Sequence, residues 1–243
     1  MSSTIFRVTG TLQTPVLIRP TDLLHGDALL HAAAVQDRFP DTWLERPPDV
    51  WEDIPLPLER QAGVYQASCL HLMDGVWGTT TLVKHTDTQV LAGRTQAAGN
   101  KKGTLAVADK DAYMYRAALD PITTYHVPAF HVFYAVPDEH EAAFRHLVTT
   151  RFPHLALGAH RHLGYGQIGT VTLAPVDFSS AVLDAQGAPL RPLPDTQFAD
   201  APPTSILRFV RLAPPYWHGP KRRAYCPVSS TLYGKEAHHG HTA

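Results

Sequence analysis

The chain has 243 residues, a hydrophobic fraction of 44% and a formal net charge of −1, which is enough apolar length for one large or two small folded domains and argues against disorder. A near-neutral balance excludes a globally basic surface as the route to nucleic acid, so any polyanion-binding function rests on local clusters. Two cysteines without C-x-x-C spacing, Cys69 and Cys226, do not suggest a disulfide framework, and neither an export signal nor a membrane-length apolar run is present, so the expected location is the cytoplasm with no membrane partner.

In chain order, Thr4 to Leu12 reads as a strand, and Asp22 is placed to cap a helix running through Leu23, Leu24, Ala28, Leu29, Leu30 and Ala32 to Val35. Residues 38–60 are rich in proline and acid and predict a long ordered loop or a protein-docking segment. Tyr65 to Met73 resumes as a strand. Residues 75–118 carry little regular pattern, and Gly99-Asn100-Lys101-Lys102-Gly103 has the composition of the tip of an extended finger. Ala129 to Val136 is a β-branched and aromatic strand. Pro137-Asp138-Glu139 opens a helix whose apolar stripe is Phe144, Leu147, Val148 and Phe152, with Arg151 in its last turn. Gln167 to Leu173 is the next strand, and Ile206 to Leu212 is a final one. The repeated order strand, helix, loop, strand predicts an α+β fold with a ferredoxin-like sheet.

Charge is segregated along the chain. No acidic residue occurs from Ala201 through Lys235, a segment holding Arg208, Arg211, Lys221, Arg222, Arg223 and Lys235. A second basic patch runs from Arg94 through Lys101, Lys102 and Lys110 to Arg116, with Tyr113 and Tyr115 interleaved. Between the second helix and its following strand lies His160-Arg161-His162-Leu163-Gly164-Tyr165-Gly166-Gln167-Ile168-Gly169. Glycines let a backbone approach a phosphate, Arg161 supplies a planar charged fork and Tyr165 a stacking face. The order helix, glycines, strand is the reverse of a dinucleotide-binding fingerprint. Tyr216 and Trp217 are either further stacking residues or core aromatics. His71, His126 and His131 are expected on a strand surface or in the core. His160-x-His162 lacks a nearby third ligand, so no metal and no cofactor is expected.

The Asp27-Ala28-Leu29-Leu30 helix after a first strand, the basic mid-chain insertion, the Arg161-x-x-Gly164-Tyr165-Gly166 loop and Pro214-Pro215-Tyr216-Trp217 together resemble the RAMP superfamily of CRISPR proteins. Within it, the chain is similar, from Thr4 to about Tyr225, to the small backbone subunit of type IV effector complexes, which caps the 5′ end of the guide RNA. The resemblance implies a single ferredoxin-like domain over residues 1–243, with a thumb at 79–125 and a polar histidine-containing tail at 236–243. It implies contacts to the 5′ handle of crRNA from Arg161, Gly164, Tyr165 and Gly166, and His160, Arg94, Lys101, Lys102, Lys110, Arg116, Tyr216, Trp217, Lys221, Arg222 and Arg223 are the further candidate RNA contacts. The other effector backbone and large subunits would be its partners, and target DNA would be met only through the complex. Two rival readings stand beside this non-catalytic one: a RAMP-type endoribonuclease that processes precursor crRNA by general acid–base chemistry, and a protein scaffold whose basic patches meet an acidic partner.

Overall fold

The computed structural model describes residues 2–40, 54–81, 121–216, 219–228 and 232. The chain divides into two compact units, one formed by residues 1–76 and 125–243 and the other by residues 77–124. In chain order the elements are β1 (Ser3–Leu12), β2 (Val16–Leu17), α1 (Gly26–Arg38), β3 (Arg60–Gln61), β4 (Val64–Tyr65) and β5 (His71–Met73). Strands β6 (Val76–Thr81) and β7 (Pro121–His126) are neighbours, and most of each falls at one end of the second unit's sequence. They are followed by β8 (Ala129–Pro137), α2 (Glu141–Thr150), β9 (Ile168–Val176), β10 (Leu193–Pro194), β11 (Ser205–Val210) and β12 (Arg222–Pro227). No described helix is long and apolar enough to cross a membrane.

The first unit is mixed α and β. Its main sheet has the order β5-β8-β1-β9 with every neighbouring pair antiparallel. Helix α1 connects β1 to β5 in sequence through the short strands β2 to β4, and α2 connects β8 to β9. Period-two alternation sorts the side chains of the two central strands. Phe6 and Val8 of β1, and Val132 and Tyr134 of β8, are at most 1% exposed and face the helices. Leu30 and Ala33 of α1 and Phe144 and Val148 of α2 are fully buried there, and the Phe144 ring lies 5.6 Å from Phe6 and 5.2 Å from Tyr134. Each such large apolar side chain removed from water contributes about 1.5–3 kcal/mol, which makes this layer the thermodynamic centre of the unit.

On the opposite sheet face, Ile5, Phe133 and Ala135 pack with Ala181 in a smaller cluster, and His71 and His131, paired in register, stack at 4.6 Å. A three-stranded sheet, β10-β12-β11, is added by the C-terminal third. Its cluster of Val182, Leu193, Leu212 and Ala224 also takes in Val64. Both cysteines are free and buried.

The structure departs from the sequence reading in several places, and the last strand is β12, which was not expected, rather than the one read at Ile206 to Leu212. Asp22 does not cap α1: its carboxylate accepts the Arg19 N–H at 3.0 Å, closing a turn around Pro20 and Thr21, and the helix starts at Gly26 with His25 before it. The strand expected over Tyr65 to Met73 is broken between β4 and β5, because the Tyr65 and Ala67 carbonyls accept from a buried arginine and the Ser68 carbonyl accepts from Gly26. Residues 76–81 form a strand despite Gly78, which interrupts their pattern. Arg151 lies one residue beyond α2, where it donates to Asp37 at 2.8 Å. The expected basic insertion at 79–125, with Arg94, Lys101, Lys102, Lys110 and Arg116, lies almost entirely outside the described residues, as do Trp217 and the tail at 236–243.

Candidate nucleic-acid interface

The glycine segment is a tight turn pinned to the start of the chain. Ala159 N–H donates to Leu17 O, Gly166 N–H to Pro15 O, Gln167 N–H to the Thr14 hydroxyl and Gln13 N–H to Gln167 O, all at 2.8–2.9 Å. Residues Arg161–Leu163 make one 3₁₀ turn, entered through His160 at φ 52° and left through Gly164 at φ 87°. A left-handed histidine is uncommon and costs about 1 kcal/mol or more, so the surrounding hydrogen bonds must hold it.

The glycines have separate jobs. A Cβ at Gly164 would meet nothing within 4 Å, so its Cα face is open, while its N–H donates to Arg161 O at 3.0 Å. A Cβ at Gly166 (φ 69°) would lie 2.1 Å from Leu157 O, and one at Gly169 would lie 2.6 Å from the Thr11 hydroxyl. Those two allow the turn to close on its own chain, and Gly166 is buried.

Arg161 is exposed and forms a wall shared by two depressions. The first is a cavity of about 540 Å³ between α1 and residues 155–159, mainly apolar, with Leu24, Leu29, Val35, Leu70 and Leu157 on its walls and His25, His31 and Tyr216 among its polar groups. The second, of about 720 Å³, is a groove carrying His154, His160 and His162 with Gln13, Gln36 and Gln167, and no described carboxylate lines it. The His160 and His162 rings are 5.9 Å apart. Among the described residues no group of three His, Cys, Asp or Glu side chains is placed to hold a metal ion. Tyr165 is half-buried in the turn and is on the wall of neither depression.

Beneath the cavity lies a network that sequence reasoning missed. Arg191, 1% exposed, donates through Nη1 to Asp27 Oδ2 at 3.1 Å, Tyr65 O at 2.6 Å and Ala67 O at 3.2 Å, and through Nη2 to Leu212 O at 2.8 Å and the Tyr216 hydroxyl at 2.9 Å. Tyr216 in turn donates to both Asp27 oxygens, at 2.7 and 2.9 Å. Burial opposes the charge on Arg191, but Asp27 above all, with Tyr216 and Cys69, more than offsets it and raises its pKa further. Burial, then Asp27, pushes the Tyr216 phenol well up, so it remains a donor. His25 stacks on Tyr216 at 4.0 Å, and burial lowers its pKa to about 4, keeping the ring neutral near pH 7. Tyr216 therefore has its hydroxyl and one ring face committed inside the protein. The readable signal was Asp27 itself, which falls on the same helix stripe as Leu30, His31 and Ala34, all buried.

Of the remaining cations, Lys221 and Arg222 are exposed at and before the start of β12, and Arg223 pairs with Asp195 at 3.0 Å, an acid lying outside the acid-free segment. No protein-family model matches this chain, and no curated protein matches it.

Proposed function

We propose that this chain is a non-catalytic, single-strand RNA-binding subunit of a CRISPR ribonucleoprotein, built on a ferredoxin-like fold of the RAMP kind and holding the 5′ handle of the crRNA against its glycine turn. The observation that carries this reading is the position of Arg161. A guanidinium fork stands between an apolar cavity and a histidine-lined groove free of described carboxylates, the combination that a strand of stacked bases and tracked phosphates requires. The antiparallel order β5-β8-β1-β9 with two crossing helices supports the fold assignment, and the open Cα face at Gly164 supports close approach of a ligand.

One observation favours an endoribonuclease as the second reading: His160 and His162 lie 5.9 Å apart beside Arg161, within range of an acid–base pair acting on a 2′-hydroxyl. The experiment that tests the main reading is purification of the full chain with its bound nucleic acid. A discrete guide-length RNA with a common 5′ end is expected. A 2′,3′-cyclic phosphate made by the purified chain and lost in His160→Ala would replace the binding reading with the second one.

A further inference from the structure

A third depression, of about 310 Å³, lies across the Pro214-Pro215 segment, which it shares as a wall with the apolar cavity. Three arginines from three separate segments line it: Arg60 of β3, Arg211 just after β11 and Arg222 of β12. No described carboxylate lines it. Arg211 is held in place by donating Nε to Gly219 O at 3.0 Å and Nη1 to Tyr216 O at 3.3 Å, which leaves the other guanidinium donors for a ligand. Arg60 lies over the Tyr65 ring at 5.2 Å. Two further walls are bare backbone, since a Cβ at Gly63 or Gly219 would meet nothing within 4 Å.

Arg60 and Arg222 are exposed and Arg211 is half-buried, so water screens their mutual repulsion and keeps them accessible to an anion, and guanidinium forks match phosphate oxygens in pairs. We propose that the Arg60, Arg211 and Arg222 pocket is a phosphate-binding subsite for the backbone of the bound single strand. The assignment rests on the RNA reading above and extends it. The histidine groove shares Arg161 with the apolar cavity, and the cavity shares Pro214 and Pro215 with the arginine pocket. A groove whose one arginine is Arg161, an apolar cavity and an arginine pocket therefore adjoin one another through shared walls. That alternation suits a polymer that alternates charged phosphates with flat bases, whereas a lone small anion would explain only one end of the track.

The test uses the full chain and a fluorescent oligouridine of about twelve nucleotides, long enough to cover a binding surface of this kind, with affinity measured over a series of salt concentrations. Arg60→Gln/Arg222→Gln is expected to bind more weakly and to reduce the slope of log affinity against log salt by up to about 1.4, or about 0.7 for each phosphate that is no longer neutralised. Arg60→Lys/Arg222→Lys is expected to keep most of the slope, which separates lost charge from lost folding, and thermal melting of each variant provides the folding control. If the glutamine variant keeps the wild-type slope while Arg161→Ala loses part of it, the subsite assignment is overturned and the RNA reading stands. If inorganic phosphate stabilises the wild type against melting but not the glutamine variant, and RNA slopes are equal, the pocket takes a free anion and the assignment is again overturned. If the wild-type chain binds no RNA, the RNA reading fails and takes this subsite with it.

Discussion

The Arg191 guanidinium donates to the Asp27 carboxylate at 3.1 Å across 164 residues of sequence, with both side chains at most 1% exposed. It thereby ties the first turn of α1 to the segment leading into β10 and, through the Tyr65, Ala67 and Leu212 carbonyls, to two further stretches of chain. Removing one partner of such a pair leaves a buried charge and several acceptors unsatisfied. Arg191→Met is therefore expected to cost about 3–5 kcal/mol in urea denaturation. Arg191→Met/Asp27→Leu is expected to recover part of that loss, since the carbonyls stay unpaired while the stranded carboxylate is gone. Full additivity of the two single changes would show that the pair is not coupled.

His25 makes stability depend on pH in a defined window. The folded protein holds the ring neutral down to about pH 4, while an unfolded chain protonates its histidines near pH 6.5. Unfolding takes up a proton between those values, so stability falls as pH drops from about 6.5 toward 4. His25→Phe keeps a ring against Tyr216 and removes the titration. Relative to the wild type it is expected to lose on the order of 2 kcal/mol of acid sensitivity across that window, a figure reduced because the ring borders an open cavity. Parallel pH profiles for the two proteins in chemical denaturation would contradict this.

The two glycines of the turn are expected to respond differently to the same change. Gly164→Ala carries only the penalty of a left-handed alanine, about 1 kcal/mol, because the added methyl meets open space. Gly166→Ala adds a collision with Leu157 O and is expected to cost more than about 3 kcal/mol. Thermal melts of the two variants check the ordering, and equal losses would show that the turn relaxes around Gly166.

Much of this architecture was legible where local chemistry and tertiary role agree. The alternating aromatic and β-branched run of β8 and the apolar stripe of α2 predict the elements that are found, because burial on one face leaves a periodic trace. The position of Arg161 between a helix and a strand was equally readable. What stayed hidden was convergence. Asp27 and Arg191 are far apart in sequence, and an arginine between Leu190 and Pro192 gives no hint that its fork will thread into carbonyls of two other segments. The arginine pocket is hidden for the same reason, since Arg60, Arg211 and Arg222 meet only once β3, β11 and β12 are folded. Tyr216 shows the opposite case: its type suits RNA stacking, yet its hydroxyl and one face serve the buried network.

The measurement that bears most directly on the proposed function is the affinity of the full chain for single-stranded RNA, compared between wild type and Arg161→Ala over a series of salt concentrations, with melting temperature followed in parallel. Arg161 is exposed, so its removal should leave melting nearly unchanged. Without this charge-assisted hydrogen bond to a phosphate, binding is expected to weaken about tenfold or more and the salt slope to fall by about 0.7. Equal affinity and equal slope in the two proteins would contradict the account, because the guanidinium between the apolar cavity and the histidine groove would then touch no RNA.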